Sequence, residues 1–175
     1  MADYIVEAKS RKDLRKLARA IRKTLRLENV IYFPVVELLD IMTIIFPDFS
    51  YDIVPDDELP DNCHADTDVR TGHIRIKETV YLRACEGEGR DRMTIAHEMS
   101  HYFTLYFCEF KLERNFNHIQ VPAYRDPEWQ AKCLAGELMV PYDLAKEMSP
   151  EIIVSQCGVS LDAARVQYNN FRKGR

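Results

Sequence analysis

The sequence predicts a compact α+β domain in which a small, mostly antiparallel sheet packs on a helix bearing two histidines and on a second helix bearing a glutamate. Three observations carry this. Several segments repeat apolar residues at helical spacing, and short segments between them alternate apolar with polar residues in the manner of half-buried strands. Proline, glycine and acidic residues mark the boundaries. At 175 residues the chain has room for one core. We expect a single domain over 1–175: a basic amphipathic helix within 1–30, a core over 31–141 and C-terminal helices over 142–175. Hydrophobic residues at 46% and charged residues at 30% sit near globular averages, which excludes a disordered or fibrous chain.

The first helix starts at Ser10, whose hydroxyl can cap it, with Asp13 in its first turn. Leu14, Leu17, Ile21 and Leu25 form one apolar stripe, and Lys or Arg occupies most other positions. Residues 1–26 carry +6 and the remainder −10. The stripe predicts a helix docked on the core, whose basic face could meet an acidic partner. No short glycine turn follows it and the next helix is very apolar, so it is not half of a helix-turn-helix. Direct nucleic-acid binding is not expected from an acidic chain.

Pro34 suits the first turn of a second helix, apolar nearly all round and so expected to be buried, ending at Pro47. Phe49, Tyr51 and Ile53 alternate with polar neighbours as a strand, and 55–62 is a loop. A hairpin-like unit follows, with a weak strand over 63–66, a turn at Thr71-Gly72 and a strand over 73–77 that points Ile74 and Ile76 inward. One sheet edge at 73–77 is expected to accept an extended peptide as an added strand. After an acidic loop, a long helix covers about 90–107, and 109–126 is irregular. Asp126-Pro127 opens the next helix, with Asp as cap and Pro at the first position, and it stops before Pro141. Ser149-Pro150 begins a helix that Gly158 ends, and Ser160 caps the last one.

The five cysteines, at 63, 85, 108, 133 and 157, are odd in number, and no two are closer than 22 residues. That spacing supports neither a disulfide framework nor a CxxC metal or redox site, and buried small hydrophobes are expected. Residues 1–10 lack the apolar run of a signal peptide, and the most apolar stretch, 31–46, is broken by Pro34, Glu37 and Asp40. A soluble, cytoplasmic protein without membrane contact is expected.

One segment carries chemistry. His97-Glu98-Met99-Ser100-His101 is HExxH within a helical pattern. Four-residue spacing puts both imidazoles on one helix face, where they can aim at one ion. Glu98 is turned by about 100°, close enough to hold a water on a zinc ion and take its proton. Random placement produces the motif in roughly one such chain per hundred, so a polar pair without metal is the alternative until a third ligand is found. Thr104 and Phe107 exclude the metzincin extension. Glu109 and Glu113 follow too closely to return to the ion, Asp126 is engaged in capping, and Glu137 lies about half a turn from Glu128. Glu128 is the expected third ligand. His64, His73 and His118 can each serve as an oxyanion donor or fill an ordinary structural role, and Tyr102 is expected to pack.

The segments RDRMTIAHEMSHYF (90–103) and DPEWQAKCLAGELMVP (126–141) resemble the ImmA/IrrE family of metallopeptidases. There a helix of the type R-x-R-F-T-I-A-H-E-L-G-H is followed by one of the type E-x-x-A-N-x-F-A-x-E-L-L-M-P. TGHIRIK (71–77) looks like the strand ahead of the zinc helix, and GVSLDAARVQYNNF (158–171) like the closing segment. The resemblance implies a zincin-like, gluzincin-type zinc endopeptidase, with His97, His101 and Glu128 as ligands and Glu98 as general base. It also implies a helix-turn-helix repressor as substrate, often in a mobile element. Ser100 and Leu134 stand where the family has Gly and Phe. Lys132 stands where it has Asn or Asp, so the acceptor that orients a ligating imidazole is lost and an ammonium able to pair with Glu128 takes its place. Lys132 therefore favours the rival reading, an antirepressor that sequesters its partner without cutting it. A structural zinc is disfavoured, because three ligands leave one position open.

Overall fold

The computed structural model describes residues 4–68, 70–107, 113–114 and 121–173. Cys108, Glu109 and His118 lie outside them, as does most of the irregular stretch expected over 109–126. Strand β1 (Tyr4–Ile5) pairs antiparallel with β5 (Glu113–Arg114). Helix α1 (Arg11–Thr24) begins with a reciprocal cap: Asp13 N–H donates to Ser10 Oγ at 3.2 Å, and Ser10 N–H donates to Asp13 Oδ2 at 3.0 Å. Leu14, Ala18 and Ile21 are buried by the docking the stripe predicts. Three of the helix's arginines are used inside the fold. Arg15 forks onto Glu137, Arg19 onto Asp143, and the buried Arg22 donates to the carbonyls of Leu138 and Val30. Lys12, Lys16 and Lys23 stay exposed on the same helix.

Helix α2 (Val35–Ile45) follows Pro34 as expected, but its burial is one-sided. Val35, Leu38, Leu39 and Met42 enter the core while Ile44 is 81% exposed, with Ile41 and Ile45 also exposed. A helix packed on one side of a layer covers one stripe whatever its composition.

Strands β2 (Tyr51–Val54), β3 (Ala65–Thr67) and β4 (Ile74–Lys77) form a sheet in the order β2-β4-β3. β3 and β4 are the expected antiparallel hairpin, while β2 pairs with β4 in parallel, so this sheet is mixed. Its middle strand is β4, paired on both sides, so 73–77 offers no open edge to a peptide; the edges are β2 and β3. Ile74 and Ile76 are fully buried, whereas Ile53, beside Ile76 but on an edge strand, stays exposed.

Two helices have no clear sequence signal, α3 (Glu78–Cys85) directly after β4 and the single turn α6 (Tyr142–Ala145). Helix α4 (Gly89–Phe107) runs through the middle, touching α2, α3, α5, β3 and β4. Helix α5 (Pro127–Met139) lies along it, capped as expected by Asp126, which accepts from Glu128 N–H at 2.9 Å. Helix α7 (Pro150–Cys157) ends at Gly158 with φ 61°, and α8 (Leu161–Lys173) packs on α5. Arg92, 1% exposed, ties the α7 terminus to the core by donating to Gly158 O at 2.9 Å and Phe33 O at 2.7 Å. A Cβ at Gly158 would strike that guanidinium. Tyr102 packs as expected against Phe46 and Phe49. Cys133 and Cys157 are buried, but Cys63 is half-buried and Cys85 exposed, contrary to expectation. No helix among the described residues is long and apolar enough to cross a membrane.

Candidate metal centre

His97 and His101 occupy adjacent turns of α4 on the face toward α5, their rings edge-to-face with centroids 4.7 Å apart. The two Nε2 atoms are 3.2 Å apart. Glu128, in the first turn of α5, lies 31 residues from His97 in sequence and places Oε2 3.2 Å from His97 Nε2 and Oε1 3.3 Å from His101 Nε2. The three residues predicted from sequence are thus brought together, as a donor set of two imidazoles and a carboxylate that could hold a metal ion. Contact with His101 and His97 holds the Glu128 carboxyl far below its ordinary range.

Glu98 turns to a different side of α4 and is 7% exposed. Burial pushes its carboxyl up to about 7, against the opposing pull of His97 and of a hydrogen bond from Thr67. Thr67 Oγ1 donates to Glu98 Oε2 at 2.7 Å, which fixes one carboxylate oxygen. Glu98, the two histidines, Glu128 and β3 residues Ala65, Asp66 and Thr67 all line one cavity of about 220 Å³. Sequence reasoning missed Thr67. Its contact with Glu98 spans 31 residues, and a lone Thr in a weak strand carries no signal of it.

The other candidates lie elsewhere. Glu137, 1% exposed, is spent on a two-pronged contact with Arg15 at 2.9 and 3.0 Å. His73 contacts Ser50 Oγ at 2.8 Å and Asp52 at 3.3 Å and is not among the residues around the cluster; His64 is half-buried ahead of β3. Lys132 is exposed and forms no ion pair with Glu128. His97 Nδ1 is buried without a hydrogen-bond partner, in keeping with the loss of an acceptor at position 132.

No curated protein and no solved structure matches the chain. The family model of the M78 peptidases, described as the IrrE N-terminal-like domain, matches residues 60–156, a span that begins ahead of β3 and takes in the sheet hairpin, α4, α5 and most of α7. That span is more than half of the chain and contains all four residues of the cluster and its acid, so the chain belongs to the ImmA/IrrE metallopeptidase family.

Proposed function

We propose that the protein is a zinc-dependent endopeptidase in which His97, His101 and Glu128 hold the metal and Glu98 is the general base. The observation that carries this is the convergence of the donor set beside a buried carboxyl in one cavity. The donors also suit zinc by size. Bonds of 2.0–2.1 Å at tetrahedral angles separate neighbouring ligand atoms by about 3.3 Å, and the contacts here are 3.2, 3.2 and 3.3 Å. When bound, the metal supplies Lewis acidity toward a carbonyl and toward water.

The chain's own residues do the rest. With Oε2 held by Thr67, Glu98 keeps Oε1 for proton transfer: it takes a proton from the attacking water and delivers it to the leaving amine. The substrate backbone has a place to pair at β3. Asp68 N–H donates to His73 O and Lys77 N–H to His64 O, so the even-numbered residues of this strand face β4. Alternation along an antiparallel ladder then turns the backbone groups of Ala65 and Thr67 outward. Thr67 sits beside Glu98, so an added strand would run past the reacting groups.

By family resemblance the substrate is a helix-turn-helix repressor, and the odd, widely spaced cysteines support a cytoplasmic setting. We read 1–175 as one metallopeptidase domain, since the N-terminal helix is tied to α5 through Arg15 and Glu137. The test compares wild type with Glu98→Gln, each loaded with zinc and incubated with a candidate repressor, by mass analysis of fragments. Wild type should produce defined fragments and the variant none, at equal metal content. Equal action of the two on the repressor would instead support the second reading, sequestration without cleavage, which the unpartnered His97 Nδ1 and the lysine at 132 favour.

A further inference from the structure

A second cavity opens at His97. It has a volume of about 440 Å³, lies between α4, α5 and α8, and includes His97 in its wall. That size is in the range of small-ligand sites. Met93, Trp129 and Val166 supply apolar lining from the three helices. Its charged lining is of one sign: Arg11, Arg90 and Lys132, with no carboxylate. None of these three forms an ion pair among the described residues.

Two buried nitrogens add to this. Gln167 is 3% exposed and its Nε2 has no hydrogen-bond partner. Its amide lies over Gly136, where a Cβ would come within 2.7 Å of Nε2. His97 Nδ1 is the other. With Nε2 on a metal ion, Nδ1 would carry the ring proton and need an acceptor. Both residues line this cavity. Buried donors without acceptors are rare; both belong to residues of this wall, and three cations with no carboxylate among the lining mark a place for an anionic group.

We propose that this cavity receives an apolar stretch of the peptide substrate that carries an acidic side chain, next to the scissile bond. The identity of the occupant as peptide rests on the peptidase reading; the preference for a carboxylate on an apolar stem rests on the lining alone. The carboxylate pairs with Lys132 and Arg90, while the neighbouring apolar residues cover Met93 and Trp129. A basic segment is repelled by three cations, and a purely apolar one leaves those cations without a counter-charge.

Trp129 is the only tryptophan of the chain, so its emission reports on this cavity. Full-length, zinc-loaded Glu98→Gln protein is titrated with acetyl-Leu-Glu-Leu-Leu-amide, with the same peptide carrying Gln for Glu, and with decanoate. The Glu peptide should shift Trp129 emission and bind at least about fivefold more tightly than the Gln peptide. Adding Arg90→Glu and Lys132→Gln, both at exposed positions, should erase that preference while circular dichroism stays unchanged. Equal binding of the two peptides, survival of the preference in that variant, or binding of decanoate alone would overturn the proposal. The two readings fail separately. Cleavage by wild type that ignores a Glu-to-Gln exchange refutes this inference only, and Glu-dependent binding without cleavage by wild type refutes the peptidase only.

Discussion

Replacing Glu98 by Gln in the metal-free protein removes a carboxyl that is 7% exposed and whose titration burial has pushed up to about 7 from an ordinary 4.5. The sign follows from linkage. The folded state holds this proton more tightly than the unfolded chain, so folding favours the neutral acid. Below pH 4.5 both states are protonated and the group costs nothing. Between 4.5 and about 7 the unfolded chain ionises while the folded one does not, so stability falls as pH rises. Above 7 the loss is complete at about 3 kcal/mol, from 1.36 kcal/mol per pH unit over that interval. Gln keeps the acceptor for Thr67 and does not ionise. Urea unfolding of metal-free wild type and variant from pH 4.5 to 8.5 should therefore give curves that separate with pH, with the variant more stable by about 3 kcal/mol at the alkaline end. Titrations common to both proteins, Glu128 among them, cancel in the difference to first order. Parallel curves across that range would refute the claim that Glu98 is buried as an acid.

Thr67→Val removes a hydrogen bond that favours the charged form of Glu98, so the midpoint of that separation should move up, and the same pH series reads it; a downward move contradicts the contact. Lys132→Asn restores an acceptor near His97 Nδ1 and should tighten zinc binding by about tenfold or more in competition with a chromophoric chelator. Unchanged affinity would show that the ring needs no such partner. Arg15→Met strands the Glu137 carboxylate, 1% exposed, and should lower unfolding free energy by about 3 kcal/mol, with a loss under about 1 kcal/mol refuting the tether.

Much of this molecule is written in local patterns. The Ser10 cap, the proline at the start of α5, the glycine after α7 and the inward pair Ile74 and Ile76 each follow from one residue's stereochemistry or from a period of two or four, and all four are present. HExxH is likewise local, since helical repeat alone sets the two imidazoles on one face. The meeting of Glu128 with the two histidines was legible because α5 begins at an unmistakable Asp-Pro and the other nearby acids could be set aside.

What escaped the sequence depends on partners distant along the chain. Strand order is one example. Nothing within 71–77 says that β2 will pair with β4 in parallel and close the edge expected to bind peptide, leaving β2 and β3 at the edges. Burial of α2 is another, because composition cannot say which side of an apolar helix the core leaves bare. The local sequence thus determined the helices, their caps and the spacing of the histidines, all set by interactions within a few residues. Only the tertiary structure decided which arginines turn inward, that Thr67 grips Glu98 and that a cavity lined by three cations adjoins His97, because each depends on surfaces meeting across dozens of residues.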